Sequence, residues 1–286
     1  MHIPVLAYHA ANIAGNSYAK NDHVAFAEDL QRIQRLGLRI VPLSWVVEQR
    51  LGRARRDLSG CVALSCDDGT DFDYFDRDYP GLGRQRSLFN LLLDFRLRHG
   101  RAAQPGLHLT CFVIADPAAR AAMETTRDLP RPWISDGWWR AAQASGLMAI
   151  ENHSFDHNHA CLGEMGPHGL VRGDFHAVDD DLRAEYEVAQ AQDLLAACLT
   201  PHRPRLFCYP FGHVSDFLRC DWLPRRGPEI GLDAAFGDGA EPVTAASDVW
   251  NLPRYICGWH WKSPDELEAL LAPFAGLAGP VPFRTE

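Results

Sequence analysis

Residues 61–69, CVALSCDDG, constrain this chain most, because a short apolar run ends abruptly at two adjacent carboxylates. Such a run predicts a buried strand, and the glycine after the acids predicts a turn at the edge of a sheet. Side chains of neighbouring strand residues point to opposite faces, so we expect Asp67 and Asp68 to do different work. One would hold a metal ion while the other moves a proton.

Composition is that of a globular protein, with 286 residues of which 47% are hydrophobic and 23% are charged. This length suits one barrel-sized domain. A formal net charge of -9 and the absence of a basic stripe exclude a nucleic-acid-binding surface. The first residues lack the basic region of an export signal, and no apolar run reaches the roughly 18 residues of a membrane helix. We therefore expect a cytoplasmic protein without a membrane span.

Cysteines are dispersed and never form a CxxC pair, which disfavours a zinc ribbon. Most stand inside apolar runs, as buried free thiols do. This pattern is typical of a reducing compartment. The cysteines are at positions 61, 66, 111, 161, 198, 208, 220 and 257.

Predicted strands and helices alternate along the chain, without an internal repeat or a linker. Strands are predicted at 3–8, 38–41, 61–66, 108–115, 147–151, 205–209, 234–236 and 249–257. Helices are predicted at 23–36, 44–51 with Ser44 as the cap, 87–99, 135–146, about 180–199 and from Ser263 onward. The segments 70–80, 117–133, 158–178 and 213–232 are predicted as loops. This order predicts one α/β domain over 1–286 with a mainly parallel sheet, open or closed into a barrel, and chemistry at the carboxyl ends of its strands.

Three predicted strand ends carry residues suited to chemistry: the Asp67–Asp68 pair, His153 with His157, and the turn Pro210-Phe211-Gly212. A carboxylate and two neutral imidazoles suit zinc or another divalent first-row metal with open positions for water and substrate. His159 is a surplus histidine that competes for the ligand role.

A metal at this place would polarise a carbonyl group and lower the pKa of its bound water, which still needs a base. Asp67 can accept that proton. The backbone N–H of Phe211 can donate to the oxyanion that forms when water attacks a carbonyl. The constellation therefore predicts a site at which water attacks a carbonyl group.

The motifs SCDDG, HSFDH and FCYPFG resemble the first three motifs of the polysaccharide deacetylase (NodB-homology) family of metal-dependent carbohydrate esterases. With the opening VLAYH, the resemblance covers roughly residues 3–274. It implies a distorted (β/α) barrel with about seven parallel strands, short of the usual eight, and removal of an acetyl group from a sugar. By position, Asp67 matches the catalytic base, the Phe211 backbone matches the oxyanion donor, and the metal ligands match Asp68, His153 and His157.

The third motif departs from many members of this family, because Cys208 stands where they place an arginine that orients the catalytic base. A branch with a YP(Y/F)G turn also lacks that arginine, and this sequence resembles that branch. Arg254, in the predicted strand LPRY, either replaces it by pairing with Asp67 or serves as a structural or substrate-facing residue.

No residue clearly matches the late histidine that acts as the family's general acid. His260 in GWHWKSP occupies a suitable place in the order, and His213 is a second candidate; His9, at the end of the first strand, is either structural or at the rim of the site. Predicted substrate contacts are Tyr209, Pro210 and Trp259. Trp133, Trp222 and Trp261 are further aromatic candidates for stacking on a sugar, or else core residues.

These observations predict an unexported metal-dependent deacetylase that acts on an N-acetylated sugar or glycoconjugate. Metal-bound water would attack the amide carbonyl with Asp67 as general base. We expect one divalent ion, zinc before cobalt, nickel or manganese. The alternatives are a metal-dependent amidase acting on a non-sugar amide or imide, and a catalytically inactive carbohydrate-binding homologue.

Overall fold

The structure is a computed structural model that describes residues 1–126 and 133–276. Most of its strands are short and buried. In chain order they are β1 (His2–Ile3), β2 (Val5–Tyr8), β3 (Arg39–Ile40), β4 (Cys61–Cys66), β5 (Arg77–Tyr79), β6 (Gly83–Gln85), β7 (Leu109–Val113), β8 (Met148–Asn152), β9 (Leu206–Cys208), β10 (Ala234–Phe236), β11 (Val243–Thr244) and β12 (Tyr255–Ile256).

The main sheet runs in the order β10-β9-β8-β7-β4-β2-β12, and every neighbouring pair is parallel. Strand β3 pairs with β4 beside this path. The pairs β1–β11 and β5–β6 are small antiparallel ribbons. The main path has seven parallel strands, which confirms the predicted fold class.

One irregular segment joins the two ends of this sheet. Its first part pairs with β10, where Leu252 bridges Phe236 and the N–H of Gly237 donates to the carbonyl of Leu252 at 3.0 Å. Its last part is β12, whose Tyr255 lies opposite Leu6 of β2. The barrel is therefore closed by residues 252–256, and the shortness of the ladder on each side makes it distorted.

Helices cover the outside of the sheet. They are α1 (Asp22–Arg35), α2 (Leu43–Arg50), α3 (Asp71–Tyr74), α4 (Leu88–His99), α5 (Pro117–Thr126), α6 (Trp139–Ala144), α7 (Asp181–Ala184), α8 (Gln190–Leu199), α9 (Leu223–Arg226) and α10 (Pro264–Leu271). A π-helical segment, Glu185–Ala189, makes α7 and α8 continuous, and a second one, Leu218–Trp222, leads into α9. The predicted Ser263 cap is present, since its side chain accepts from the N–H of Glu266.

Alternate residues of the central strands belong to different apolar clusters, as the period of a strand requires. Ala63 of β4 and Phe112 of β7 lie in one cluster. Leu64 and Cys111, their neighbours along the same strands, lie in a second cluster with the helices α1, α4 and α10. Asp67 continues the alternation on the side of Ala63, and this places its carboxylate toward the inside of the barrel.

Two segments predicted as loops contain helices. Helix α5 begins after Asp116, whose carboxylate accepts from the N–H groups of Ala118 and Ala119 as a cap, with Pro117 in the first turn where a proline costs no hydrogen bond. The segment 213–232 contains Leu218–Trp222 and α9, and the pattern of apolar residues there is obscured by Pro224. Pro224 lies just after the π-helical segment Leu218–Trp222, which interrupts the regular α-helical hydrogen-bond pattern that a proline would otherwise break.

Smaller differences occur near the first helices. Ser44 lies inside α2 and is not its cap, because the helix already begins at Leu43 after Pro42. The predicted loop 70–80 contains α3 and the strand β5, which forms a hairpin with β6.

The predicted single domain over 1–286 includes residues 127–132 and 277–286, which lie outside the described residues, so it stays a prediction. Among the described residues, the structure has no helix of sufficient length and apolarity to cross a bilayer.

Candidate active site

A cavity of about 1050 Å³ opens where the strands of the barrel reach their carboxyl ends. Its walls come from segments that follow β2, β4, β8, β9 and β12. Residues predicted as functional line it, namely Asp67, Asp68, His153, His157, Phe211 and Arg254. Three motifs and one distant arginine thus meet at one place.

The turn after β4 has a left-handed backbone at Asp68 (φ 75°) and at Gly69 (φ 72°). A side chain at position 69 has no room, since an added Cβ atom would approach Val113 to 2.6 Å. Left-handed backbone at a residue with a side chain is unfavourable and persists at sites where the surroundings enforce it. Here it separates the two carboxylates, so that Asp67 and Asp68 have different partners.

Asp68, His153 and His157 form one cluster. The Oδ1 atom of Asp68 lies 3.8 Å from Nε2 of His153 and 3.7 Å from Nε2 of His157. The other ring nitrogen of His153, Nδ1, donates to the carbonyl of Cys208 at 2.9 Å, and this leaves Nε2 as the unprotonated atom facing Asp68. The second motif is also fixed by an internal hydrogen bond, in which the backbone N–H of His157 donates to the hydroxyl of Ser154.

Burial keeps both imidazoles neutral. It lowers the pKa of His153, and it lowers the pKa of His157 to about 3, helped by the neighbouring His153. Metal binding requires neutral imidazole and ionised carboxylate. The donor set of two nitrogens and one oxygen, with its ligand atoms within 4.8 Å of one another, therefore fits a divalent first-row ion.

Asp67 is held by Arg254 through two parallel hydrogen bonds, Nη1 to Oδ1 and Nη2 to Oδ2, both 2.8 Å long. Burial alone would raise the pKa of Asp67, but the guanidinium reverses the effect and holds the pKa well below its usual range. Asp67 is therefore ionised and oriented. The contact that would make Arg254 a substitute for the missing arginine is present in the structure.

Further contacts of Arg254 fix the orientation of its guanidinium group. Its Nε atom donates to the carbonyl of Gly237 at 3.0 Å, and Nη2 lies 2.9 Å from the sulfur of Cys208. The guanidinium also lies over the ring of Phe112, 5.6 Å from its centroid. Cys208 thus stands beside the guanidinium, at the position where the resemblance led us to expect an arginine.

The turn of the third motif has left-handed backbone at Phe211 (φ 60°) and Gly212 (φ 69°). Glycine is required at 212, because an added Cβ atom would meet Oδ2 of Asp238 at 2.5 Å. The N–H groups of Gly212 and His213 donate to the carbonyls of Tyr209 and Pro210. Within the described residues, the N–H of Phe211 has no acceptor, and the residue lines the cavity.

The structure places three other predicted residues outside the cavity. Tyr209 is fully buried, and its hydroxyl donates to the carbonyl of Trp250 at 2.8 Å. Pro210 is also buried. Neither residue lines the cavity, so the structure gives no support to the predicted substrate contacts. The general-acid role of His260 likewise lacks support, since its Nδ1 accepts from the N–H of Ile256 at 2.7 Å and the ring does not line the cavity.

Among the aromatic candidates, Trp259 lines the cavity and is 69% exposed. Trp222 and Trp261 are fully buried, and Trp133 packs edge-on against Phe72. His159 and His213 reach the cavity wall, but Asp174 pairs with His213 at 3.1 Å.

Three residues that line the cavity, His9, Asp22 and Asp238, either were not predicted as functional or had a role that the sequence left open. His9 lies with Nε2 3.8 Å from Oδ2 of Asp67, and its backbone N–H donates to the buried carboxylate of Asp22 at 2.7 Å. Asp22 and Asp238 also line the cavity. His9 and Asp238 each follow a strand, β2 and β10 respectively; the strand-end argument singled out His9 but left its role open, and applying it to β10 would have found Asp238 as well.

A carboxylate pair, two imidazoles and a buried arginine at the carboxyl end of a parallel barrel define a (β/α)-barrel hydrolase. The sequence model described as polysaccharide deacetylase matches residues 103–220, a span that contains the second and third motifs and stops short of the first. Over this span the chain is similar to polysaccharide deacetylases, which supports an enzyme that acts on acetylated sugars. Comparison with curated protein sequences gives no match.

Solved structures share the fold at low sequence identity. The Streptococcus pyogenes deacetylase PplD is 16% identical with a TM-score of 0.61, covering 95% of this chain and 98% of its own. IcaB from Ammonifex degensii is 19% identical with a TM-score of 0.61, covering 95% and 97%. A de-N-acetylase from Aggregatibacter actinomycetemcomitans is 14% identical with a TM-score of 0.61, covering 94% and 100%. At these identities the likeness shows the fold alone.

Proposed function

We propose that this protein is a metal-dependent deacetylase that removes the acetyl group from an N-acetylated saccharide. One observation carries the proposal: the Asp68–His153–His157 cluster lies beside an ionised Asp67 that Arg254 orients, at the floor of one cavity. A divalent ion held by the cluster would act as a Lewis acid on the acetyl carbonyl and lower the pKa of water.

Asp67 accepts the proton of the attacking water. Its two bonds to Arg254 fix the carboxylate plane and keep it ionised, which a base needs before the reaction begins. Its position 3.8 Å from His9 leaves a proton-transfer partner on the cavity side.

The unengaged N–H of Phe211 donates to the oxyanion as the carbonyl becomes tetrahedral, and the left-handed turn fixes its direction before substrate binds. His9 then protonates the leaving nitrogen, since an amine is a poor leaving group without a proton. Among the described histidines, His9 is the one that lies beside Asp67 without belonging to the ligand cluster.

A saccharide suits the cavity wall. Trp259 and Phe211 are large hydrophobic residues with exposed fractions of 69% and 37%, and both line the cavity. Exposed aromatic faces stack on the apolar face of a sugar ring. A cavity of about 1050 Å³ also exceeds what a small imide requires.

The test is acetate release from N-acetylated monosaccharides, chito-oligomers and simple amides, with metal-stripped protein to which zinc, cobalt, nickel or manganese is returned. Metal-dependent acetate from sugars, lost in His157→Ala, is the expected result. Metal-dependent hydrolysis of simple amides without any sugar product would replace the saccharide with a non-sugar amide. Metal binding without any hydrolysis would indicate an inactive binding protein.

A further inference from the structure

A second group of potential ligands lies behind the carboxylate pair. Cys66 is the last residue of β4, and Cys111 is its register partner on β7. Both are fully buried, and both belong to the cluster between the sheet and the outer helices. Because Asp67 points to the opposite face, this group is separate from the cavity, and neither cysteine lines it.

The third member is Asp73, in the short helix α3 that follows the carboxylate-bearing turn. It is fully buried, and the hydroxyl of Thr70 donates to its Oδ2 atom at 3.3 Å. Its Oδ1 atom has no partner of ordinary hydrogen-bond geometry in the described part of the chain, and the thiol of Cys66 lies within reach of the carboxylate. An ionised carboxylate in that position is strongly unfavourable without a cation, so the group either keeps a proton or faces a metal.

The three donor atoms, two sulfurs and one carboxylate oxygen, lie within 4.8 Å of one another. Zinc–sulfur bonds of about 2.3 Å and zinc–oxygen bonds of about 2.0–2.2 Å place the ligand atoms of a tetrahedral ion closer together than this limit, so the three atoms are near enough to share one ion. Thiolates select soft or borderline ions over magnesium, calcium or manganese. The cluster therefore differs in chemistry from the Asp68–His153–His157 cluster, which has no sulfur.

We propose that Cys66, Cys111 and Asp73 form a second metal site, selective for thiophilic ions such as zinc or cadmium. The ion would join β4 and α3, which flank the turn that carries Asp67 and Asp68, to the neighbouring strand β7. It would fix that turn from behind and would not contact substrate.

Cadmium is the probe, because cadmium–thiolate bonds absorb in the ultraviolet through charge transfer and cadmium bonds to imidazole and carboxylate do not. All measurements use full-length protein in a Cys220→Ser background, since Cys220 is an exposed thiol. The protein is unfolded free of metal and refolded with cadmium, because the proposed site is buried. Two bound equivalents and a thiolate band are expected.

Variants assign each equivalent. Cys66→Ser with Cys111→Ser should abolish the band and leave one equivalent, whereas Asp68→Asn should keep the band and lose the other. Cys61→Ser is the matched control, since it removes a buried thiol from the same strand but the opposite face. Asp73→Asn keeps the side-chain size and should weaken cadmium binding without removing a thiol. This variant tests the site even if the double cysteine variant does not fold.

The proposal is overturned if refolded protein shows no thiolate band at saturating cadmium, or if the band survives the double cysteine variant. A disulfide between Cys66 and Cys111, detected by thiol titration, would also overturn it. Acetate release is measured in parallel and depends on the Asp68–His153–His157 cluster. A missing thiolate band would therefore leave the proposed deacetylase function intact, and missing acetate release would leave the second metal site intact.

Discussion

Arg254 and Asp67 are 187 positions apart in the sequence and are joined by two hydrogen bonds of 2.8 Å in the floor of the cavity. Both side chains are almost fully buried, with exposed fractions of 2% and 4%. A buried pair of this kind stabilises the fold chiefly because neither charge tolerates the loss of the other.

Arg254→Gln should therefore lower the free energy of unfolding by about 3–5 kcal/mol, as expected when one partner of a buried ion pair is removed. Urea denaturation measures the change. The double variant Asp67→Asn/Arg254→Gln should recover part of the loss, because the unpaired carboxylate is gone. A single variant as stable as the wild type would mean that water reaches the pair.

Asp67→Asn should reduce turnover by about 10²–10⁴-fold, the usual contribution of a general base, while bound metal stays unchanged. Asp68→Asn is the matched variant at the neighbouring position and should lose the metal as well as the activity. Metal content by mass spectrometry and acetate release by enzymatic assay separate the two roles. Full occupancy in Asp68→Asn would remove that residue from the ligand set.

His9→Ala should reduce hydrolysis of an N-acetyl substrate by about 10²-fold or more if it donates the proton to nitrogen. An activated aryl acetate has a leaving group that needs no proton, so its hydrolysis should fall much less. His260→Ala is the control, since its ring accepts from the Ile256 N–H away from the cavity. Equal losses on both substrates would assign His9 to positioning.

Trp259→Ala should raise KM for a saccharide about 2- to 10-fold, the equivalent of one stacking contact, with little change in kcat or in stability. Steady-state kinetics measures the effect. Leu97→Ala alters another exposed apolar residue, on α4, and should leave KM unchanged. An unchanged KM in Trp259→Ala would remove the predicted stacking contact.

Asp29 makes stability depend on pH with a defined sign. Burial raises its pKa to about 7, while the hydroxyls of Tyr8 and Tyr18 and the indole N–H of Trp261 donate to its carboxyl oxygens. The folded state then holds a proton that the unfolded state releases near pH 4. This contribution is complete below that pH and is lost as the pH rises toward 7, with a slope of up to about 1.4 kcal/mol per pH unit.

Asp29→Asn removes this contribution. The stability of the wild type relative to Asp29→Asn should therefore fall between pH 4 and pH 7, measured by urea denaturation in a series of buffers. Glu28→Gln, on the exposed side of the same helix, should show the same pH dependence of stability as the wild type. A difference that stays constant with pH would show that Asp29 is already ionised in the folded protein.

The parallel barrel and the meeting of the three motifs could be predicted from the sequence, because short apolar runs ending in Asp67-Asp68 and in His153 are local signals with one physical meaning. The pairing of Arg254 with Asp67 could be predicted only as one of two possibilities, the other being a structural or substrate-facing arginine. No local pattern says which way an arginine in a short strand will face.

The errors have equally local causes. His260 follows the right strand in the chain, but its segment folds back on itself, with the N–H of Gly258 donating to the carbonyl of Trp261, and the ring does not line the cavity. Tyr209 was predicted at the site because it precedes the turn, yet strand alternation points its side chain into the core. Pro224 obscured α9 because sequence rules treat a proline as a stop, whereas here it follows a π-helical segment inside a continuous helix.

The segment 252–256 that closes the barrel has a further consequence for the order in which the protein matures. On a ribosome that adds about 5–20 residues per second, the 187 positions between Asp67 and Arg254 correspond to a delay of about 10–40 s. Until residues 252–256 emerge, the carboxylate of Asp67 lacks its counter-ion and the barrel is not closed. The ion pair forms only when the barrel closes, so we expect the proposed base to be assembled after nearly the whole chain has been made.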